Sequence, residues 1–248
     1  LGVSVQIGVL QARSDNLLPT FEAQDVTLLD ASGHELLRLP RVVATLSPQS
    51  VAQLSFDQLY IDSLEIEVSR SAQGEWTLAG MPLKPGKDSS LADWFFSQTE
   101  FIVRHGKVHW QDARKHAQPV TFEEVDLVIR NGLRSHALRL DATPPADWGR
   151  RFSLRALMRQ PLLSRHPGRW RDWSGQLYAD LPGVDLAQLR QQADLGIDLR
   201  SGRGVMRAWA DVDAGRLAGG AADVGLEQVD AVLAAGRSPL ALASLSGR

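Results

Sequence analysis

From Phe21 almost to its last residue, the chain repeats one pattern: apolar side chains hold one parity while charged or hydroxyl side chains hold the other. Successive side chains of a β-strand point to opposite faces, so the alternation describes a sheet with one buried and one wetted face. The pattern is cleanest where Phe152, Leu154, Ala156 and Met158 stand against Ser153, Arg155 and Arg159. A chain written this way is mainly β, and what its apolar face covers becomes the functional question.

Composition narrows the answer. With 27 basic against 29 acidic side chains, the whole-protein field gives no reason to expect nucleic acid as a partner. Cysteine is absent, which removes disulfides, thiolate metal sites and cysteine nucleophiles. No apolar run reaches the ~18 to 20 residues that span a bilayer, and no secretory leader pattern opens the chain, so the segment itself reads as soluble. It begins at Leu1 rather than Met and stops at Arg248 just after the strand-like run 240–245, which reads as part of a longer polypeptide with room for a membrane anchor upstream.

Five stretches follow from the turn and breaker residues: a first meander over 1–80, a linker with a short helix over 81–100, a second meander over 101–182, a second short helix over 183–196, and further strands over 197–248. Asp30 and Gly33 supply turn chemistry for a hairpin, and Ser71 to Gly74 for another turn. Parity slips at Pro40, where a bulge or strand break is expected, and again across Asp62 and Ser63. Residues 81–90 hold two prolines, two lysines and no periodicity. Leu91, Trp94 and Phe95 then lie at helical spacing and should pack against the sheet. Asp185 to Gln192 reads as the second helix. The acidic stretches after Phe21 and Phe122 echo one another and suggest repeated meanders.

Catalytic and cofactor signatures are missing. His105 and His109, four apart, would meet one metal on a helix, but in a strand they stand about 13 Å apart at ~3.3 Å per residue. There is no nucleophile elbow, Walker loop or dinucleotide fingerprint, so neither an enzyme nor a cofactor or metal site is expected. One basic region stands out: Arg151, Arg155, Arg159, Arg165, Arg169 and Arg171 interleave with Trp148, Trp170 and Trp173. Such a mixture can meet phosphate headgroups, or form the wet face of a hairpin whose tryptophans anchor it to the core.

Several segments together resemble a known family: Leu18 to Leu39, Leu59-Tyr60-Ile61-Asp62-Ser63, Gly74-Glu75-Trp76, Phe101 to Trp110, and Leu138 to Pro145. They are similar to the amino-terminal part of YhdP-type proteins, within the AsmA-like group of Gram-negative envelope proteins. The resemblance implies an extended, curled antiparallel β-sheet with an apolar groove, anchored in the inner membrane and projecting into the periplasm. It also implies a part in phospholipid transport to the outer membrane and in envelope integrity, with acyl chains as the ligand.

The most coherent apolar parities name the groove candidates: Ile66, Val68, Leu138, Leu140, Leu154, Ala156, Met158, Met206, Ala208 and Ala210. Arg155, Arg159, Arg165, Arg169 and Arg171 are the headgroup candidates. The same apolar residues would equally suit a closed core beneath the two helices. Sheltering acyl chains is worth ~0.8 kcal/mol per buried CH₂, so partial cover of one chain suffices for binding. A second reading is an assembly module that recruits other envelope proteins through exposed strands. A hydrolase with a dispersed site ranks third.

Overall fold

The computed structural model describes residues 4–15, 18–52, 55–83, 90–114, 118–162, 164, 166, 168–188, 198–232 and 240–248. Strands β1 (Ser4–Asp15), β2 (Leu18–Leu29), β3 (Glu35–Thr45) and β4 (Gln58–Asp62) are antiparallel neighbours, with helix α1 (Pro48–Ala52) between the last two. After a short break β5 (Glu65–Arg70) continues β4 and carries the hairpin β6 (Trp76–Leu78) and β7 (Met81–Leu83). Helix α2 (Ser90–Ser97) leads into β8 (Glu100–Asp112), which lies parallel to both β4 and β5. Strands β9 (Val120–Asn131), β10 (Ser135–Thr143), β11 (Phe152–Arg159), β12 (Ser174–Asp185), β13 (Asp198–Asp213), β14 (Arg216–Val232) and β15 (Leu240–Gly247) complete an antiparallel meander. Among the described residues, 15 strands belong to one open sheet, with β1 and β15 at the ends of its pairing order.

The mainly β, extended architecture matches the sequence expectation, with four local corrections. The sheet is mixed rather than wholly antiparallel, because residues 71–99 cross over and return the chain in the direction of β4 and β5. Strand structure starts at Ser4, well before Phe21. Residues 81–83 pair with β6 instead of belonging to a linker, while 84–89 lie outside the described residues. Helix α1 was not foreseen, whereas α2 stands where the helical spacing put it; of the second helix expected over 183–196, 183–185 belong instead to β12, 186–188 are helical and 189–196 lie outside the described residues.

Pro40 neither breaks β3 nor shifts its register: Leu39 pairs with Val26 and Arg41 with Gln24. Its partner Asp25 takes the distortion instead, at φ 53. That position belongs to a crease running across the sheet. Ser63 (φ 56), His105 (φ 51), Glu124 (φ 48) and Gln228 (φ 53) occupy the same left-handed region in β4–β5, β8, β9 and β14. Between β10 and β11, Gly149 bridges Val184 and approaches Gly183 so closely that a Cβ on Gly149 would sit 1.9 Å from the Gly183 carbonyl oxygen. An extra residue in one strand flips every later side chain to the other face. When neighbouring strands flip together, the apolar face stays continuous: Ala23 and Val26, Ile61 and Leu64, Phe122 and Val125, and Leu226 and Val229 each face it at i, i+3 spacing across the crease. Each left-handed non-glycine residue costs about 1 kcal/mol, and ion pairs such as Arg38 with Asp25 (3.0 Å) and Arg151 with Asp126 (2.9 Å) flank the crease on the polar face.

Two buried clusters close parts of the apolar face. The larger gathers Val26, Leu39, Leu59, Ile61, Phe101, Val103 and Ile129, with Phe95 and Phe96 of α2 packed on it. Helix α2 forms because Phe95 and Phe96 find partners at close range: Phe95 lies 4.7 Å from Phe101, and Phe96 lies 4.8 Å from Trp173. Its end is tied down by Gln98, which is fully buried, accepts from Phe56 N at 2.7 Å, and lends its carbonyl to Asn131 Nδ2 at 2.7 Å. Asp93 holds its other side, accepting from Gly168 N at 2.7 Å and pairing with His166 at 3.0 Å. The smaller cluster sets Val184, Leu186, Leu226 and Val229 together.

Candidate ligand-binding faces

Cross-strand register carries the apolar face from β9 to β14. Leu138 pairs with Ile129 and Ala156, Leu140 with Leu127 and Leu154, Leu177 with Ala156 and Ala210, and Ala179 with Leu154 and Ala208. Directly opposed residues share a face, so these side chains form one surface. The groove candidates therefore stand together, although not in one environment. Leu138 packs on the larger cluster and Met206 on the smaller. Met158 pairs with the buried His136. Between the clusters, Leu140, Leu154, Ala156, Ala208 and Ala210 belong to neither and are only half-buried, and their neighbour Leu177 is 41% exposed. Ile66 and Val68 lie beyond the crease beside Val108 and Trp110, where Trp76 lies tilted against Trp110 at 5.2 Å.

The headgroup candidates do not join this surface. Arg155 and Arg159 alternate with Leu154, Ala156 and Met158 and project from the reverse face. Arg169 and Arg171 are exposed in the turn before β12, where Arg171 lies 5.3 Å over Trp170, and Arg165 lies outside the described residues. One ligand cannot place its chain on one face of a sheet and its headgroup on the other, so the two sets are separate features. Of the interleaved tryptophans, Trp173 anchors the turn at 5% exposure, stacked on His136 at 3.9 Å, while Trp170 is mostly in solvent.

The two spaced histidines also face the polar side, each paired with a carboxylate. His105 Nδ1 lies 2.9 Å from Asp62, and that hydrogen bond raises its pKa above the ordinary value. His109 bridges Glu65 at 2.7 Å and Thr121 at 3.0 Å, and the bond to His109 lowers the Glu65 pKa. A hydroxyl, an imidazole and a carboxylate thus stand in line, an arrangement that local sequence motifs do not reveal because the three residues sit on three strands. It lies on an open strand surface whose backbone N–H groups serve ladder pairing, as in Thr121 opposite His109. Among the described residues, no group of three or more His, Asp or Glu side chains is arranged to hold a metal.

On the polar face, two shallow depressions of about 460 Å³ and 490 Å³ adjoin at Arg130 and Ala137. The first is floored by Leu157, Tyr178 and Trp209 and bordered by Arg139 and Arg155. Sequence parity could have found it, since Arg139, Arg155, Tyr178 and Trp209 occupy the solvent parity of four neighbouring strands.

No helix among the described residues is long and apolar enough to cross a membrane. Comparison with curated proteins and with solved structures gives no match. The family model described as YhdP protein matches residues 1–248, and the chain therefore belongs to the YhdP family.

Proposed function

We propose that this chain is a non-enzymatic, lipid-handling segment of an envelope protein, one that shelters phospholipid acyl chains on the apolar face between its two closed ends. One observation carries the reading: Leu140, Leu154, Ala156, Ala208 and Ala210 form a registered apolar surface that belongs to neither buried cluster. Membership of the YhdP family supports a lipid-transport-related role in the envelope. The crease adds to this, because it keeps one apolar face through successive parity reversals, and a continuous surface lets a chain slide without a fixed specificity pocket. At ~0.8 kcal/mol per buried CH₂, cover of half a dozen methylenes amounts to ~5 kcal/mol. In this reading the parent protein is anchored in the inner membrane, the segment works in the periplasm, and the direction of transport is imposed from outside it.

The test is native mass spectrometry with lipid extraction on detergent-free protein, comparing wild type with Leu154→Asp plus Met158→Asp. Phospholipid carried by the wild type and lost from a folded variant supports the reading. A folded, lipid-free wild type refutes it for this segment.

A second reading rests on its own observation. Edge strand β1 carries Val5, Ile7, Val9 and Leu10 exposed, with no lysine or proline along Ser4–Asp15 to discourage pairing. Strand addition to β1 would make the segment an assembly module. Peptide-amide protection of β1 that appears only in the presence of an envelope extract distinguishes this from lipid carriage.

A further inference from the structure

The polar face holds a feature that acyl-chain carriage leaves unused. Arg139 and Arg155 stand directly opposite one another on β10 and β11. Like charges in that arrangement repel, and the sheet is more stable when something separates or neutralises them. Asp141 takes Arg139 at 2.7 Å. Among the described residues, Arg155 and Arg159, on the same face of β11, make no ion pair, and Arg155 lies 6.0 Å over the Tyr178 ring. Between these two arginines Leu157 is 65% exposed. Beside them Tyr178 and Trp209 form a pair at 5.4 Å, with Trp209 37% exposed and Arg248, itself 3.5 Å from Asp223, lying 5.8 Å over its ring. Two guanidiniums without an ion pair, beside an aromatic pair that already carries Arg155 and Arg248 on its rings, describe a place for an anionic group carried on a ring.

The adjoining surface sets the length and polarity of that ligand. Thr45, Gln58, Glu100 and Arg130 face one another in register from β3 to β9, with Gln58 to Glu100 at 2.6 Å and Arg130 to Glu100 at 2.7 Å. The same row continues through Ala137, Leu157, Gln176 and Asp211. It spans eight strands, about 34 Å at ~4.8 Å per strand, and both depressions lie along it. Its carboxylates and amides suit hydroxyl donors. A polyphosphate chain would meet Glu100 and Asp211 as like charges, and an acyl chain would meet a row of polar groups.

We infer that this row is a binding track for an extended acidic saccharide, a chain of sugar rings bearing occasional carboxylates. Its rings take the place of Arg248 over Trp209 and lie beside Tyr178, a carboxylate pairs with Arg155 beside Arg139, and its hydroxyls meet the Gln58–Glu100 and Gln176–Asp211 pairs. This site lies on the face opposite the proposed acyl surface, so the two readings stand or fall separately.

The test is isothermal titration of the 248-residue chain at low salt with hyaluronan hexasaccharide, which bears a carboxylate on every second ring, maltohexaose, and mixed phosphatidylglycerol and phosphatidylcholine vesicles. The charged hexamer binds, and the neutral hexamer binds at least tenfold more weakly. Arg155→Gln and Trp209→Ala each weaken the charged hexamer about tenfold or more, the loss expected for a charge-assisted hydrogen bond or a ring stack. Leu157→Glu, at a position 65% exposed, weakens it likewise, so the outcome does not depend on the Arg155 or Trp209 substitution alone. Equal affinity for the two hexamers, binding unchanged in all three variants, or capture of vesicles in place of the hexamer through these residues overturns the inference.

Discussion

Ala142, Ala156 and Ala208 all project from the apolar face, yet Ala142 is 2% exposed whereas Ala156 and Ala208 are half-buried and outside both clusters. Replacing each by leucine adds the same three carbons to three environments. At Ala142 the new atoms have no room, and overpacking costs about 1–3 kcal/mol. For a chain of this size that lowers the Tm by roughly 2–12 °C, at about 2–4 °C per kcal/mol. At Ala156 and Ala208 the side chains enter unoccupied surface, so the change stays within about 0.5 kcal/mol, or roughly 2 °C. Thermal melts followed by circular dichroism measure the difference, and lipid extraction of the same samples shows whether the bulkier surface displaces bound phospholipid. If Ala156→Leu and Ala208→Leu destabilise as much as Ala142→Leu, the face is packed and the open-surface reasoning fails. If they are neutral and lipid content is also unchanged, the surface is open but is not where acyl chains lie.

Further outcomes are expected elsewhere. Gly149→Ala places a Cβ 1.9 Å from the Gly183 carbonyl at φ 151, whereas Gly33→Ala, at φ 84 with nothing within 4 Å, meets backbone strain alone. Urea unfolding should show a loss of about 3 kcal/mol or more for the first and about 1 kcal/mol for the second. Asp93→Ala frees Gly168 N and His166, so hydrogen exchange should accelerate in residues 168–173 with little change in β13 and β14. Burial lowers the His136 pKa below its ordinary 6.5, partly offset by Gln160. A depressed histidine stabilises fully above pH 6.5, and that contribution falls as pH drops from 6.5 towards the folded value, so melts between pH 7 and 5 should lose stability more steeply in wild type than in His136→Phe. For His105 the hydrogen bond to Asp62 raises the pKa, so its contribution is complete below 6.5 and is lost as pH rises through the folded value; NMR titration should show the shift vanish in Asp62→Asn.

The β class, the α2 helix and the strands from β8 to β12 were legible because alternation and helical spacing are local properties of the residues that form them. Even two points of the crease were visible, as parity slips at Pro40 and across Asp62 and Ser63. The others carry the same mark, two solvent-facing residues between apolar ones at i and i+3, as in Gln24-Asp25, Arg104-His105, Glu123-Glu124 and Glu227-Gln228. Strand β1 escaped because its apolar side chains are exposed on both faces and its parity flips at Gly8, opposite Asp25.

What alternation determines is which side chains share a face, and the candidates on β10, β11 and β13 do share one face of the sheet. It does not determine which stretch of that face is covered, since cover comes from elements distant in sequence. Phe96 of α2 reaches Trp173, and Leu186 lies against Gly202, while nothing equivalent packs on Ala156 or Ala208 among the described residues. Nor does it determine that Arg155 faces Arg139 while Leu154 faces Leu140, because cross-strand register is fixed by pairing energy summed over the whole sheet. Sequence therefore assigned the two faces, and only the tertiary structure decided where one stays open and where charges on the other are left without partners.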